Sequence, residues 1–235
     1  ERINTILPVR EFEADRYIFM ATACGTVKKT PLVDFSRPRA AGIIAIDLGE
    51  DDYLVNAAVT DGSRDIMLFS SDGKGIRFNE TQVRSMGRAS RGVRGLRLAP
   101  EQRVIAMLIA DQGQILTATE NGYGKRTSID DYPQRGRGGQ GVIAIQTSER
   151  NGALIGASLV CEESDVMLIT NGGTLVRIRA DEISLVGRNT QGVKLINLTS
   201  GEQLIGLQRI AEPAAEEEED GEAEAAPDQE TPVPL

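Results

Sequence analysis

The chain has 235 residues, a formal net charge of −9, 40% hydrophobic and 4% aromatic content, and no histidine or tryptophan. Without histidine, Ser-His-Asp and Cys-His catalysis and every His-ligated metal site are excluded. No apolar run is long enough for a spanning helix, and no signal-peptide pattern is present.

Read from its start, the chain opens on Glu1 rather than Met, and Arg2 to Leu7 resembles residues 103–108. Residues 1–10 are therefore expected to be the closing strand of a preceding, truncated repeat, and the chain a piece of a longer protein. Four repeats follow over residues 11–210. Gly25, Gly73, Gly122 and Gly173 are spaced by 48, 49 and 51 residues. Three residues before each stands a small hydroxyl (Thr22, Ser70, Thr119, Thr170), and four after each a cation (Lys29, Arg77, Arg126, Arg177). A second glycine recurs at Gly42, Gly92, Gly141 and Gly192, and an apolar segment opens at Leu54, Val104, Leu154 and Leu204. A period near 50 residues over several landmarks marks a repeat architecture.

Within each repeat the elements read as β. YIFMAT, DIMLFS, QILTAT and DVMLIT are short runs of strand formers. The pairs Asp72-Gly73, Asn121-Gly122 and Gly172-Gly173 then suit a two-residue type I′ turn, with Cys24-Gly25 a poorer fit. A second strand carries the recurrent cation. After a polar loop, a third strand follows the second glycine (GIIAI, GVRGLRL, GVIAI, GVKLI). The closing strands LVNAAV, VIAMLIA, LIGASL and LIGLQ are nearly all apolar and read as buried on both faces. About four strands per unit predict an all-β, propeller-like array. Cys24 and Cys161 read as reduced thiols in or near the core of a cytoplasmic protein. The acidic pairs Asp51-Asp52 and Glu162-Glu163 read as solvated turn charge. Tyr17, Tyr53, Tyr123 and Tyr132 read as packing or turn positions. Residues 211–235 hold ten acidic and no basic residues and lose the apolar period; this segment is expected to be disordered.

Removing that tail leaves a nearly neutral body whose cations are unevenly spread. Between the first and second glycines stand Lys28, Lys29, Arg37 and Arg39, then Lys74, Arg77, Arg84, Arg88 and Arg91, then Lys125, Arg126, Arg135 and Arg137, then Arg177, Arg179 and Arg188. Two positions keep register. One is four after the first glycine. The other is four before the second (Arg88, Arg137, Arg188), with Arg39 three before Gly42 in the first repeat. Equivalent positions of a repeat share one side of the array, so both are expected on a single basic rim. A rim of this kind fits duplex DNA. Neutralising phosphates releases counterions whatever the base sequence. Bending a 20–30 bp site by 40–90° costs about 1–6 kcal/mol, comparable with the roughly 5–8 kcal/mol of non-specific binding. Cations spread along a rim would offset bending at every step. The expected DNA contacts are Lys28, Lys29, Arg37, Arg39, Arg77, Arg84, Arg88, Arg91, Lys125, Arg126, Arg135, Arg137, Arg177, Arg179 and Arg188, with no catalytic or metal-ligating residue. A protein-interaction propeller and a small carboxylate enzyme are the alternatives.

The loop Gln134-Arg135-Gly136-Arg137-Gly138-Gly139-Gln140-Gly141 resembles the Gln-Arg-Arg-Gly-Gly-Lys-Gly box of bacterial DNA gyrase A. ILTATENGYGKRT at 115–127, FMATACGTVKKT at 19–30 and VGRNTQGV at 186–193 extend the resemblance, to the C-terminal domain of gyrase A, over residues 1 to about 213. Topoisomerase IV carries a related C-terminal DNA-binding domain, generally without the box, and that domain is the alternative within the resemblance. The resemblance implies a β-pinwheel, normally of six blades, that wraps duplex DNA around its perimeter. That wrapping lets the holoenzyme, an ATP-dependent type II DNA topoisomerase, introduce negative supercoils. It also implies a gyrase A catalytic core and gyrase B in an A2B2 assembly, ATP and Mg used elsewhere in that assembly, no cofactor in this domain, and a bacterial, nucleoid-associated location. The isolated domain is expected to be monomeric. In the family the box belongs to the first blade. Here Gln140 replaces its lysine and an extra glycine separates the arginines, so DNA contact carries over to Arg135 and Arg137 alone. The tail is further expected to compete with phosphate for the rim.

Overall fold

The computed structural model describes residues 3–210. Fifteen strands run in chain order: β1 Tyr17–Thr22, β2 Thr26–Pro31, β3 Leu54–Thr60, β4 Asp65–Ser70, β5 Lys74–Asn79, β6 Val93–Arg94, β7 Val104–Ile109, β8 Gln114–Thr119, β9 Tyr123–Ser128, β10 Val142–Ile143, β11 Leu154–Val160, β12 Asp165–Thr170, β13 Leu175–Arg179, β14 Val193–Lys194 and β15 Leu204–Ile210. They form antiparallel sheets ordered β3-β1-β2-β6, β10-β5-β4-β7 and β11-β8-β9-β14, and a three-stranded sheet β13-β12-β15. Among the described residues no helix is long and apolar enough to cross a membrane.

The sheets are not the sequence repeats. Each outermost strand comes from the next repeat: β6 pairs with β2, β10 with β5 and β14 with β9. A four-stranded unit drawn wholly from its own repeat is thus incorrect, and the exchange leaves two unpaired ends. Residues 42–46 form no strand, and Ile44 is exposed, because the described residues hold no sheet before the first to receive them. Among the described residues the fourth sheet likewise has no outer strand, since no later repeat is there to supply one. Residues 3–10 also form no strand; a closing strand needs the first strand of its own sheet, which the described residues do not supply. Leu7 and Val9 instead pack against the cluster of Ile18, Met20, Leu32 and Ala57.

Glycine makes the exchange possible. The hairpin turns are three-residue loops, not type I′. Gly73 N–H donates to Ser70 O at 2.9 Å and Gly122 N–H to Thr119 O at 3.0 Å. Only the glycine has positive φ, 79° at both, while Asp72 and Asn121 do not. A type I turn followed by a left-handed glycine gives this pattern. The second glycine approaches the receiving strand: a Cβ on Gly141 would sit 2.5 Å from Gly75 O, and its φ is +75°. No other residue type fits there without displacing backbone.

The core lies between sheets. Ile66 and Leu68 of β4 pack with Phe19, Ala21 and Val27 of the first sheet. Their neighbours Met67 and Phe69 face the third sheet and pack with Ile115, Tyr132 and Ile145. The first strand of each of the first three hairpins is therefore the one buried on both faces, which its alternation-free apolar run reflects, whereas β12 buries one face only. The closing strands, expected in that role, are largely half-buried. They stand at the inner edge of each sheet and pack side by side, β7 between β3 and β11, and β11 against β15. Both cysteines are exposed and free, not core thiols. Cys24 lies beside the turn at the end of β1, where Arg103 donates to its Sγ at 2.7 Å. Burial and the nearby Asp52 carboxylate raise its pKa. Residues 211–235, expected to be a disordered acidic tail, lie outside the described residues, as does its competition with phosphate.

Candidate nucleic-acid interface

The two recurrent cation positions separate in space. The position four after the first glycine points into the gap between sheets. Lys29 is 7% and Arg126 6% exposed. Lys29 Nζ donates to Glu80 O at 3.0 Å, lies 3.8 Å from the buried Glu80 carboxylate, and sits 5.1 Å over the Tyr17 ring. Arg77 binds Asp65 at 3.0 Å and Ile129 O at 3.3 Å. Arg126 binds Ile183 O at 2.7 Å, Asp181 O at 3.2 Å and Gln114 at 2.8 Å. In each case the cation satisfies carbonyls of the short 3-10 turn that opens the next sheet's loop. That is a clasp between sheets, and it corrects the expectation that Lys29, Arg77 and Arg126 line a rim. The side chain at this register projects toward the next sheet, a direction set by the strand pleat. Among the described residues no sheet follows the fourth copy, so Arg177 is exposed and pairs with Asp165 instead. Lys28 and Lys125 are also wholly buried, so they too leave the expected rim.

The second position behaves differently. Residues 83–92, 132–141 and 183–192 leave the 3-10 turns and run across the preceding sheet's outer edge. Isolated parallel bridges join Ser85 to Lys29, Gln134 to Arg77 and Leu185 to Arg126. Arg88, Arg137 and Arg188 are half-buried on this outer course. Arg137 donates to Gln82 O at 2.9 Å and to Arg94 O at 3.0 Å; Arg188 donates to Ile143 O at 2.7 Å. Arg94 and Ile143 hold equivalent places on β6 and β10, so these guanidiniums repeat one geometry. A guanidinium has five N–H donors, and these carbonyl bonds leave donors free. Arg84, Arg91 and Arg135 are exposed on the same loops, and Arg37 and Arg39 on the first repeat's loop. Among the described residues no carboxylate pairs with Arg37, Arg39, Arg84, Arg88, Arg135, Arg137 or Arg188. Arg91 pairs with Asp47 at 3.4 Å and Arg179 with Asp181 at 2.5 Å.

The box-like loop is held by backbone and by two amide side chains, Gln134 and Gln82, the latter accepting from Arg137 N–H at 2.9 Å. Gln134 donates to Asp65 at 3.0 Å, Arg135 N–H to Arg77 O at 2.8 Å and Gly138 N–H to Gly95 O at 2.6 Å. Gly139 O accepts from Arg97 N–H at 2.8 Å. Arg135 projects free while Arg137 is anchored; Gly136 and Gln140 are exposed. Strand exchange also adds perimeter cations that sequence reasoning missed. Arg94 of β6 and Lys194 of β14 are exposed on outermost strands. Their signal is a cation two residues after the second glycine, at Gly92 and Gly192, and it is hidden as long as that strand is read within its own repeat. The carboxylates before the closing strands brace turns: Asp52 accepts from Thr22 Oγ1 at 2.7 Å and from Cys24 N–H at 2.9 Å.

These features define an all-β array of strand-exchanging, propeller-like blades whose arginine-bearing loops cross the outer edges. The family model for the DNA gyrase C-terminal domain, a β-propeller, matches residues 16–61, 64–111, 113–161 and 164–211. The chain belongs to that family. It is similar to DNA gyrase A of Pseudomonas aeruginosa, 62% identical over 205 residues, covering 87% of this chain and 22% of that protein. The DNA gyrase A of Salmonella typhimurium is 55% identical over 221 residues, covering 94% and 25%. The chain thus spans about a quarter of the length of these relatives. Among solved structures, a DNA gyrase A C-terminal domain aligns with a TM-score of 0.77 at 24% identity, covering 86% of this chain and 68% of that one. The C-terminal domain of a DNA topoisomerase IV aligns with a TM-score of 0.82 at 22% identity, covering 87% and 64%. Those two likenesses concern the fold.

Proposed function

We propose that this domain binds duplex DNA without sequence preference along its outer edge, bends it from blade to blade, and supplies the wrapping by which a gyrase introduces negative supercoils. The observation that carries the reading is the repeated, carboxylate-free placement of Arg88, Arg137 and Arg188 on successive outer loops, flanked by Arg84 and Arg135. Arg137 and Arg188, anchored through part of the guanidinium, lose little freedom when the remaining donors meet a phosphate. Arg37 and Arg39 extend the line into the first repeat, and Arg94 and Lys194 broaden it. Arg91 and Arg179 would exchange a carboxylate for phosphate. Lys29, Arg77 and Arg126 act in the reading as clasps that keep blades in register. Catalysis, ATP and Mg belong to the gyrase A core and gyrase B of an A2B2 assembly, and the domain itself takes no cofactor.

Binding of a duplex of about 40 bp, followed by fluorescence anisotropy from 50 to 200 mM salt, tests this. A steep fall in affinity with salt is expected, with equal affinity for unrelated sequences. Affinity indifferent to salt would remove the reading and favour a protein-binding propeller. In the assembled enzyme, deleting residues 11–210 should abolish ATP-dependent negative supercoiling and leave relaxation.

A further inference from the structure

Lys28 and Lys125 stand three residues after the first glycines of the first and third repeats, and neither belongs to the clasps or to the exposed perimeter. Both side chains are wholly buried, and each ammonium group reaches the loop that crosses its sheet's outer edge, Lys125 through two carbonyls and Lys28 through one, its second lying in its own repeat. Lys125 Nζ donates to Gly187 O at 2.7 Å and to Arg188 O. Lys28 Nζ donates to Ala45 O at 2.7 Å and to Arg88 O. In both copies one of the carbonyls held belongs to the recurrent loop arginine itself. Fixing that carbonyl fixes the Cα from which the guanidinium projects.

The second repeat lacks this lysine, and its partner loop differs to match. Ile76 occupies the equivalent place and is 2% exposed. The loop above it is the glycine-rich one, in which a Cβ on Gly139 would already touch Ile76 and Gly136 O. Where the lysine is present, the position equivalent to Gly139 is a hydroxyl that closes its own loop. Ser90 Oγ donates to Gly87 O at 2.8 Å, and Thr190 Oγ1 to Gly187 O at 3.1 Å. The pairing is lysine with hydroxyl, or isoleucine with glycine.

We infer that Lys28 and Lys125 are positioning residues for DNA binding: each holds the next repeat's loop from beneath so that Arg88 or Arg188 meets the phosphate line, a task that Ile76 and the glycine-rich loop perform for Arg137. The inference rests on the DNA-binding reading of those arginines. Burial, with the nearby Arg88 or Arg188 charge, lowers each ammonium to a pKa of about 8. Asp34 and Asp47 also face Lys28, and Asp131 faces Lys125. Neither aspartate nor arginine ordinarily changes charge between pH 7 and 9, so a transition there reports the lysine.

A double-mutant cycle on the whole chain tests the inference. Lys125→Met should weaken duplex binding about 3- to 10-fold, and Arg188→Ala by a similar factor, with little further loss when combined. Loss of one positive charge alone would instead multiply with Arg188→Ala, and that result, or wild-type affinity for Lys125→Met, overturns the inference. Methyl NMR of the unmutated chain covers a variant that fails to fold. The Leu185, Val186 and Met86 methyls should titrate with a midpoint near pH 8 while the Ile76 methyl stays put. Flat titrations at all four would refute the positioning claim. Absence of salt-dependent binding by the wild type would instead defeat the DNA reading, and the methyl titration would still decide whether the lysines hold the loops.

Discussion

Two sets of cations repeat with the same period, lie in the same chain segments and end in opposite places. Those four after the first glycine sit on paired strands and clasp one sheet to the next. Those four before the second glycine sit on loops and stay on the outer edge with donors to spare. Periodicity fixes equivalence between copies. It does not fix exposure, because a strand's pleat can aim every equivalent side chain into an interface as readily as out of it. The fourth copy makes the point from within the molecule: Arg177 has the sequence context of Arg126, yet among the described residues no sheet follows it, and it is exposed and paired with Asp165.

Substitutions in the two sets should act on different properties. The largest should come from Arg126→Ala, which strands the Ile183 and Asp181 carbonyls in a buried gap. Hydrogen bonds to charged groups contribute about 1.5–3 kcal/mol each, so urea denaturation should show a loss on the order of 3 kcal/mol. Gly141→Ala should follow at about 1–3 kcal/mol, because a left-handed residue would press a methyl against Gly75 O. Arg177→Ala should cost at most about 1 kcal/mol, as exposed ion pairs do. Arg137→Glu should fall at the small end for stability while sharply weakening DNA binding. A large stability loss for Arg177→Ala, or none for Arg126→Ala, would undo the distinction between clasp and edge.

Much of the fold is readable in the sequence because β-strands in a repeat announce themselves by register. The apolar runs, the first glycines and the 50-residue period all correspond to observed hairpins. Strand exchange is hidden. Gly92 and Val93 look local to their own repeat, and only the three-dimensional neighbour reveals that Gly92 lies against Val27 O. The type I′ expectation fails because Asp72 and Asn121 suit several turns, and loop length, not residue type, decides. At the candidate site the loop arginines are legible, since loops expose what they carry. The clasps are not, because a lysine or arginine on a strand looks the same in sequence whether its partner is water or a carbonyl of the next sheet. Lys28 and Lys125 escape for the same reason. Arg94 and Lys194 escape because their strand travels to another sheet's edge.

Whether the loop arginines or the strand cations meet DNA is decided by the salt dependence of duplex affinity in two variants. With Arg88, Arg137 and Arg188 all changed to alanine, the slope of log affinity against log salt should shrink by about 2 to 3, near 0.9 for each phosphate no longer neutralised. Arg77→Gln, which removes a clasp charge while its amide can still donate to the Ile129 carbonyl, should leave the folded protein's slope unchanged. The account is contradicted if the triple variant keeps the full slope or if the clasp variant loses it.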